Sequence, residues 1–298
     1  MDHAVKEYDM SFRQACKTFQ ISTSVYRYKP LRKEEDQKYH SLLIQMAETR
    51  PTWGFWMMYY RLRNAGHQIN HKRLYRLYTE AKLNFRRKTR KRIPARVKQP
   101  LVQPLYPNHH WSMDFMRDSL FQGKPFRAFN VIDDFNREAL NITIAKSITS
   151  PHVISALEEL IQWRGKPEKI RVDNGPEFIA DALRQWCDAE ERKIELVFIE
   201  KGKPSQNGYI ERFNKTFRED VLDAYLFEDL NQAQAYSNQW IWMYNNERPH
   251  RSLGKLTPAA FLLKYGKLHH PHGQTEFTTF QQDKHHHQFK SLFLTEAI

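Results

Sequence analysis

The chain has 298 residues, of which 40% are hydrophobic and 13% aromatic, so it can bury a core and does not have the composition of a disordered protein. Its 47 Lys and Arg residues outnumber its 34 acidic residues, and the resulting net charge of +13 favours a polyanionic partner. No apolar run approaches the length of a membrane span, and the N-terminal sequence MDHAVKEYDM is too polar for a signal peptide. We therefore expect a nucleic acid as the partner, rather than a membrane surface, and a cytoplasmic location.

The two cysteines, Cys16 and Cys187, lie far apart, and neither belongs to a CxxC pair. This pattern supports neither a disulfide framework nor a cysteine-rich zinc site. Both side chains are expected to act as small buried apolar groups in a reducing compartment.

The N-terminal part of the chain is predicted to be helical. In residues 11–28, two short helices around a tight turn suggest a helix-turn-helix, although an ordinary helical hairpin would give the same pattern. Between 36 and 84, apolar residues at helical spacing predict further helices, and Asn70 is expected to cap the last of them. Cations at the exposed start of that last helix are typical of a recognition helix, or equally of a solvated face. They are His71, Lys72, Arg73 and Arg76.

The next segment, residues 85–100, carries many positive charges and contains Pro94 and Pro100. It suits an extended linker that lies along DNA phosphates, with a plain flexible tether as the alternative. A domain boundary is expected here. The basic residues of the segment are Arg86, Arg87, Lys88, Arg90, Lys91, Arg92, Arg96 and Lys98.

From about residue 109 the pattern changes to short runs rich in β-branched and aromatic residues. WSMDFM, FRAFNVIDDF and EALNITIA are separated by turn residues and predict a three-stranded meander. An amphipathic helix is predicted from Ser150, and a long helical stretch from Ser205. Between them, KIRVD and IELVFIE predict two more strands, which flank a helix over PEFIADALRQWCDAEERK. Strands that alternate with helices after a meander predict a mixed α/β sheet with helices on both faces.

Three acidic residues stand where the predicted sheet would open towards a ligand. Asp114 lies within an apolar strand, where a carboxylate is costly unless it faces a cleft or a cation. Asp173 ends the fourth strand, and Glu211 lies in the helix that follows a Gly-Lys-Pro loop. Carboxylate oxygens from these residues could converge on Mg²⁺. A single acidic residue is more often a solvated or turn residue, and we interpret Asp133 and Asp134 as hairpin residues.

Several segments resemble the second-frame product (OrfB) of bacterial insertion sequences of the insertion-sequence-three family, whose catalytic core is similar to retroviral integrase. The resemblance covers roughly residues 11–265, and the ordered set of motifs carries it. Upstream, INHKRLYRLYTEAKL resembles the family's helical DNA-binding segment, and ACKTFQISTSVYRY resembles its leading helix-turn-helix. The matching core segments are WSMDF at 111–115, NVIDDFNRE at 130–138, RVDNGPEF at 171–178, GKPSQNGYIERFNKTFRED at 202–220 and YNNERPHRSLGKLTPAAF at 244–261.

The resemblance implies an α/β fold, with a ribonuclease H-like integrase core whose mixed five-stranded sheet has flanking helices, preceded by an all-α helix-turn-helix region. It implies a DDE triad on Asp114, Asp173 and Glu211 that holds two Mg²⁺ (or Mn²⁺) ions. It also implies a transposase that cleaves and joins double-stranded DNA at the ends of an insertion sequence by phosphoryl transfer. The implied location is the bacterial cytoplasm, where the protein would be associated with the nucleoid. Thirty-seven residues separate Asp173 from Glu211, two more than is usual in the family, and the extra residues are expected in the loop before the Glu211 helix.

Further DNA contacts and partners are implied. Lys215 lies four residues after Glu211, on the same helical face, and matches a position that contacts DNA in related integrases. Lys203 and Asn207 in the preceding loop are further candidates. A homo-oligomer on DNA is expected, since two DNA ends must be brought together. An upstream-frame partner is also expected, because the family's active enzyme is usually a frameshift fusion with a first-frame region that this chain does not begin with.

Two other functions remain as alternatives, namely a non-catalytic DNA-binding regulator of transposition and a ribonuclease H-type nuclease. The predicted domains are a helix-turn-helix segment at 1–30, a helical DNA-binding domain at 31–84, a basic linker at 85–104, the catalytic core with C-terminal helices at 105–265, and a polar His-rich tail at 266–298.

Overall fold

The computed structural model describes residues 2–27, 33–85, 103–179, 181–200 and 204–266. The chain forms two compact units, Met1–Pro51 with Ile69–Phe85, and Thr52–Gln68 with Arg86–Ile298. The domain boundaries drawn from the sequence stay a prediction, but the compact units are divided differently, because the segment 52–68 groups with the second unit. The basic residues from Arg86 to Lys98 and the His-rich tail lie outside the described residues.

The first unit is helical, as predicted. Its helices are α1 (Asp2–Glu7), α2 (Phe12–Thr18), α3 (Thr23–Arg27), α4 (Lys33–Thr49) and α6 (His71–Glu80).

Local capping and one apolar interface define the helices of this unit. Asn70 caps α6 by accepting a hydrogen bond from the backbone N–H of Lys72 at 2.8 Å, as the sequence predicts. Helices α4 and α6 pack together, with Leu43, Leu74 and Leu77 buried. The two short helices predicted in residues 11–28 are present as α2 and α3.

The second unit contains α5 (Phe55–Asn64) and the whole sheet. The strands are β1 (His110–Ser119), β2 (Pro125–Asp133), β3 (Ala139–Ala145), β4 (Lys169–Val172) and β5 (Glu195–Phe198). The remaining helices are α7 (Ser150–Arg164), α8 (Pro176–Ile179), α9 (Asp181–Asp188), α10 (Gly208–Phe217), α11 (Leu230–Asn246) and α12 (Pro258–Tyr265).

The sheet has the strand order β3-β2-β1-β4-β5. Strands β1, β2 and β3 are antiparallel, whereas β4 runs parallel to β1 and β5 runs parallel to β4. The predicted meander and mixed five-stranded sheet are therefore confirmed. The register places Asn130 of β2 opposite Asp114, and Arg171 of β4 opposite Ser112.

Two helical stretches differ from their predictions. The helix predicted over 176–193 is described as α8 and α9, and α9 ends at Asp188 because the amides of Arg192 and Lys193 both turn back to the carbonyl of Ala189. The stretch predicted from Ser205 begins as a 3₁₀ turn over Pro204–Asn207, and α10 starts only at Gly208.

Helices cover both faces of the sheet, because side chains alternate along each strand. On one face, Met113 and Phe129 pack with α7 and α9 in a continuous core. On the other face, α10 and α11 contribute an aromatic cluster in which Phe213 lies 5.4 Å from Trp240 and 5.1 Å from Tyr244, measured between ring centroids. Trp240 and Tyr244 are buried in this cluster, whereas Trp242 is exposed. Every helix in the described ranges is too short or too polar to cross a bilayer.

Helix α5 joins the second unit through residues that are distant in sequence. Arg61 forms an ion pair with Glu247 at 2.9 Å, directly after α11. Asn64 donates a hydrogen bond to the backbone carbonyl of Lys255, and the Lys255 ammonium lies 4.5 Å from the centroid of the Tyr60 ring. These contacts connect α5 to the region between α11 and α12.

Candidate active site

The three predicted carboxylates lie on neighbouring elements of the second unit. Ser112 and Arg171 are direct partners in the parallel pair of β1 and β4. Asp114 and Asp173 lie two residues after these partners, so they are at one level of the sheet and point to the same face. Helix α10, which contacts β1 and β2 on that face, presents Glu211 in its first turn.

The Asp114 carboxylate is held from two sides. Its Oδ1 accepts a hydrogen bond from the backbone N–H of Phe115 at 2.8 Å, and its Oδ2 accepts one from Nδ2 of Asn214 at 2.7 Å. Burial, together with the like charges of Asp173 and Glu211, raises the pKa of Asp114 to about 6, and the two hydrogen bonds oppose this rise. Asp173 and Glu211 are thus each close enough to Asp114 for their charges to act on its carboxyl.

Asp173 is fixed by the turn that follows it. Its Oδ1 accepts a hydrogen bond from the backbone N–H of Gly175 at 2.9 Å. A Cβ added at Gly175 would lie 2.9 Å from the same oxygen, so glycine allows this close approach. Glu177, in α8, pairs with Arg127 of β2, and this ion pair attaches the turn to the meander.

The donor set fits a hard divalent cation in its chemistry, though not as a preformed site. Within the described ranges, no three His, Cys, Asp or Glu side chains form a group that could already hold a metal ion. However, three carboxylates offer only oxygen ligands, which Mg²⁺ and Mn²⁺ prefer. A cation would also offset the repulsion that contributes to the raised pKa of Asp114.

Asn214 is a site residue that the sequence analysis missed. Its side chain bridges Asp114 to Asn130, because Oδ1 of Asn214 accepts a hydrogen bond from Nδ2 of Asn130 at 2.7 Å. A signal was present in the sequence, since Ile210, Phe213, Asn214 and Phe217 follow one buried helical stripe. An asparagine within an apolar stripe needs a polar partner in the core.

Asp133 and Asp134 lie at the predicted hairpin, but both carboxylates are fully buried. Asp133 lies 3.4 Å from Nη2 of Arg164, and Asp134 accepts a hydrogen bond from Nη1 of Arg171 at 2.8 Å. A strand followed by acidic residues looks like a solvated turn in the sequence, and the arginines that pair with them lie more than thirty residues away. Burial could therefore not be inferred from the local pattern.

The predicted DNA contacts on α6 differ in their surroundings. Lys72 is exposed. Arg73 pairs with Glu35 at 2.9 Å and Asp36 at 2.7 Å, and Arg76 pairs with Asp36 at 2.7 Å. Both arginines thus already hold α6 against α4.

The remaining predicted DNA contacts lie near α10 or outside the described residues. Lys215 is exposed and lies 3.7 Å from Glu219, one turn further along the helix. Asn207 is buried directly before α10. Lys203 and the cluster Arg86, Arg87, Lys88, Arg90, Lys91 and Arg92 lie outside the described residues.

Family comparisons match both units of the chain. Residues 104–204 match the integrase core domain family, and residues 192–258 match a second integrase core domain family. Residues 33–92 match an HTH-like domain. The predicted fold class, an integrase core preceded by a helical HTH-like region, is confirmed.

Solved structures that match the chain include the HTLV-2 integrase catalytic core domain in complex with magnesium, which is 24% identical at a TM-score of 0.43, and the match covers 56% of this chain and 99% of that one. The catalytic core domain of BIV integrase is 20% identical at a TM-score of 0.42 and covers 53% and 95%.

Curated relatives cover more of the chain. An uncharacterized 39.2 kDa protein of insertion element IS476 from Xanthomonas euvesicatoria is 36% identical over 86% of this chain and 73% of its own length. An uncharacterized 31.7 kDa protein of insertion element IS407 from Burkholderia multivorans is 36% identical over 86% of this chain and 92% of its own length. Identity at this level over most of both sequences, together with the domain matches, means that the chain belongs to the insertion-element transposases with an integrase core.

Proposed function

We propose that the chain cleaves DNA at the ends of its insertion element and joins them to a new site, with Asp114, Asp173 and Glu211 as the catalytic carboxylates. The observation that carries this proposal is geometric: Asp114 and Asp173 follow paired positions of the parallel strands β1 and β4, and α10, which contacts β1 and β2, presents Glu211 in its first turn. Acidic groups that repel one another are costly unless a cation or a cationic partner offsets them.

The three carboxylates would hold two Mg²⁺ or Mn²⁺ ions, with DNA phosphate oxygens completing the ligand sets. When bound, such ions supply Lewis-acid activation of the attacking and leaving oxygens of a phosphodiester. Asn214 and the amide of Phe115 direct both oxygens of Asp114, and the turn at Gly175 directs Asp173. The protein thus contributes positioning rather than a nucleophilic side chain.

The reaction consists of two displacements at phosphorus. In the first, the oxygen of a water forms a bond to the phosphorus at the element's end, and the bond to the 3′ oxygen breaks, so that the 3′ oxygen leaves as a hydroxyl. In the second, that hydroxyl attacks a target phosphodiester and displaces another 3′ oxygen. Each step breaks one phosphorus–oxygen bond and forms one, so no redox partner is required.

The helical unit and the exposed cations near the site would hold the DNA. Lys72 on α6 and Lys215 on α10 are exposed and suited to phosphate contacts, which depend on charge more than on geometry. We further propose that the chain acts as a homo-oligomer that brings two DNA ends together, with an upstream-frame partner protein.

Replacement of Asp173 by alanine is expected to abolish nicking of DNA that contains the element's ends, because a proposed metal ligand is lost. The assay compares Mg²⁺ with EDTA on labelled end DNA, with DNA affinity measured in parallel. Glu190→Ala serves as the control, since Glu190 is an exposed acidic residue outside the site.

The possible outcomes distinguish the candidate functions. Metal-dependent nicking that Asp173→Ala abolishes without loss of DNA affinity supports the proposal. Binding without nicking by the unaltered chain would indicate a DNA-binding regulator instead. Cleavage of RNA–DNA hybrids but not of duplex DNA would indicate a ribonuclease H-type nuclease. Normal nicking by Asp173→Ala would refute the assignment of the site.

A further inference from the structure

The turn between β2 and β3 reaches every element that carries one of the three carboxylates. Two of its residues make these contacts, Asp134 and Arg137. Both side chains are largely buried, although the turn follows a strand end where exposed polar residues are common.

Asp134 connects β1, which contains Asp114, to β4, which Asp173 directly follows. Its Oδ1 accepts a hydrogen bond from Oγ of Ser112 on β1 at 2.7 Å, and its Oδ2 accepts one from Nη1 of Arg171 on β4 at 2.8 Å. Its backbone N–H also donates a hydrogen bond to the backbone carbonyl of His110 on β1 at 2.9 Å. One buried carboxylate thus joins two neighbouring strands on the face that carries the site.

Arg137 reaches the third element. The carbon of its guanidinium lies 3.5 Å from the centroid of the Tyr209 ring, within the range of a cation–π contact. Tyr209 lies in the first turn of α10, as does Glu211. Arg137 adopts a φ of +61°, a left-handed conformation that a side chain with a Cβ rarely adopts, so the contacts of the turn hold it there.

The three contacts share one spacing in the sequence. Ser112 lies two residues before Asp114, Arg171 lies two before Asp173, and Tyr209 lies two before Glu211. On a strand this spacing returns to the same face, and on a helix it keeps the two backbone positions within a single turn. A shift of the turn between β2 and β3 would therefore act on each of the three segments two residues before its carboxylate.

We propose that Asp134 and Arg137 are positioning residues, which set the spacing of Asp114, Asp173 and Glu211 for divalent metal binding. This inference rests on the proposed function, since it assigns a purpose to the same site. It explains why a charged carboxylate is buried in this turn, where an apolar residue would be less costly to bury.

Asp133 provides a matched control within the same turn. It is as buried as Asp134 and also interacts with an arginine, Arg164. Its other contacts are the backbone N–H groups of Asn108 and Phe135. Because the two carboxylates are equally buried, Asp133→Asn should destabilise the fold about as much as Asp134→Asn does. It should not move the site, because Arg164 lies on α7, which carries none of the three carboxylates.

The experiment compares Asp134→Asn with Asp133→Asn in the full-length chain. Mn²⁺ affinity is measured from the loss of the free-ion signal in electron paramagnetic resonance, and kcat and KM are measured for cleavage of end DNA. We expect Asp134→Asn to weaken Mn²⁺ binding and to lower kcat by about tenfold each, with KM for DNA unchanged. We expect Asp133→Asn to leave Mn²⁺ affinity within about twofold of the unaltered chain.

A second pair of variants tests Arg137 and covers the case in which Asp134→Asn does not fold. Tyr209→Leu removes the ring beneath the guanidinium, whereas Tyr209→Phe keeps it. We expect Tyr209→Leu to weaken Mn²⁺ binding more than Tyr209→Phe. Equal Mn²⁺ affinities within both pairs of variants would overturn the inference.

The readouts separate this inference from the proposed function. An unaltered chain that binds Mn²⁺ but cleaves no DNA would overturn the proposed function, while the Mn²⁺ affinities would still decide the positioning role. A chain that binds no Mn²⁺ overturns both. Cleavage that Asp173→Ala abolishes, with unaltered affinities in Asp134→Asn and Tyr209→Leu, overturns the positioning role alone.

Discussion

Asn214 and Asp134 make related contacts at the level of single residues, since each connects a proposed catalytic carboxylate or its strand to another element through a buried polar side chain. Asn214 on α10 donates to Asp114 on β1 and accepts from Asn130 on β2. Such hydrogen bonds determine the orientation of a ligand oxygen, so they affect a metal site without touching the metal.

Replacement of Asn214 by alanine is expected to lower the rate of metal-dependent cleavage by about 10- to 100-fold, because Oδ2 of Asp114 loses its side-chain donor. Single-turnover cleavage of end DNA would measure the effect. Asn246→Ala is the control, as Asn246 is an exposed asparagine whose side chain bonds only to the preceding helical turn at Trp242. Equal rates for the two variants would contradict the role of Asn214.

The sequence predicted the residues of the site unevenly. Asp114, Asp173 and Glu211 could be proposed because their motifs resemble those of a known family. The partners that orient them could not, because Asn130 and Asn214 meet across 84 residues of sequence and Asp134 meets Arg171 across 37. Such pairings depend on strand register and helix placement, which local patterns do not determine.

At the level of elements, α6 illustrates how one helix divides its charges between packing and exposure. Arg73 pairs with Glu35 and Asp36 of α4, whereas Lys72 is exposed. The sequence analysis grouped both cations as DNA contacts, because helical periodicity marks the buried apolar face but does not distinguish a paired cation from an exposed one.

We expect Lys72→Ala and Arg73→Ala to have different effects. Lys72→Ala should weaken binding to all duplex sequences and reduce the slope of log K against log salt by about one, with unfolding unchanged. Arg73→Ala should destabilise the helical unit by about 1 kcal/mol, a value that allows for its partial exposure. Salt-dependent filter binding and thermal unfolding by circular dichroism would test this, and equal thermal stability of the two variants would argue against it.

For the whole molecule, the sequence predicted the sheet and its flanking helices but not every long-range contact of a helix. The meander and the later strands were found because β-branched and apolar runs repeat between turn residues, and the sheet confirms them. Helix α5 was placed with its sequence neighbours α4 and α6. The HTH-like domain match spans all three helices. Helix α5 also contacts Glu247 and Lys255, about 190 residues away, and no local signal indicates such contacts.

The stability of the whole chain in acid is expected to depend on His250. Burial, together with the charges of Arg248 and Arg137, lowers its pKa to about 3. Unfolding exposes the imidazole to water and returns its pKa to about 6.5. Below that pH the unfolded chain therefore binds a proton that the folded chain does not. The free energy of unfolding should therefore fall by about 1.5 kcal/mol between pH 6.5 and 5 from this residue alone.

Urea titrations of the unaltered chain and of His250→Gln at both pH values would measure this effect. The variant should lose less stability on acidification, since glutamine does not titrate. The comparison uses the difference between the two pH values within each protein, so a general loss of stability in the variant cancels. Equal losses in both proteins would show that His250 becomes protonated without unfolding.

Each of the two units is built from two separate stretches of the chain, and this limits which genetic recombinants with related genes would keep their contacts. The backbone passes between the two units after Pro51, after Gln68 and after Phe85. A single genetic crossover between residues 52 and 68 would combine α4 from one parent with α6 from another, although the two helices pack together. A crossover after Phe85 would separate α5 from its partners Glu247 and Lys255. New end specificities are therefore expected to arise by substitution within matched sets of helices, rather than by inheritance of a whole N-terminal half.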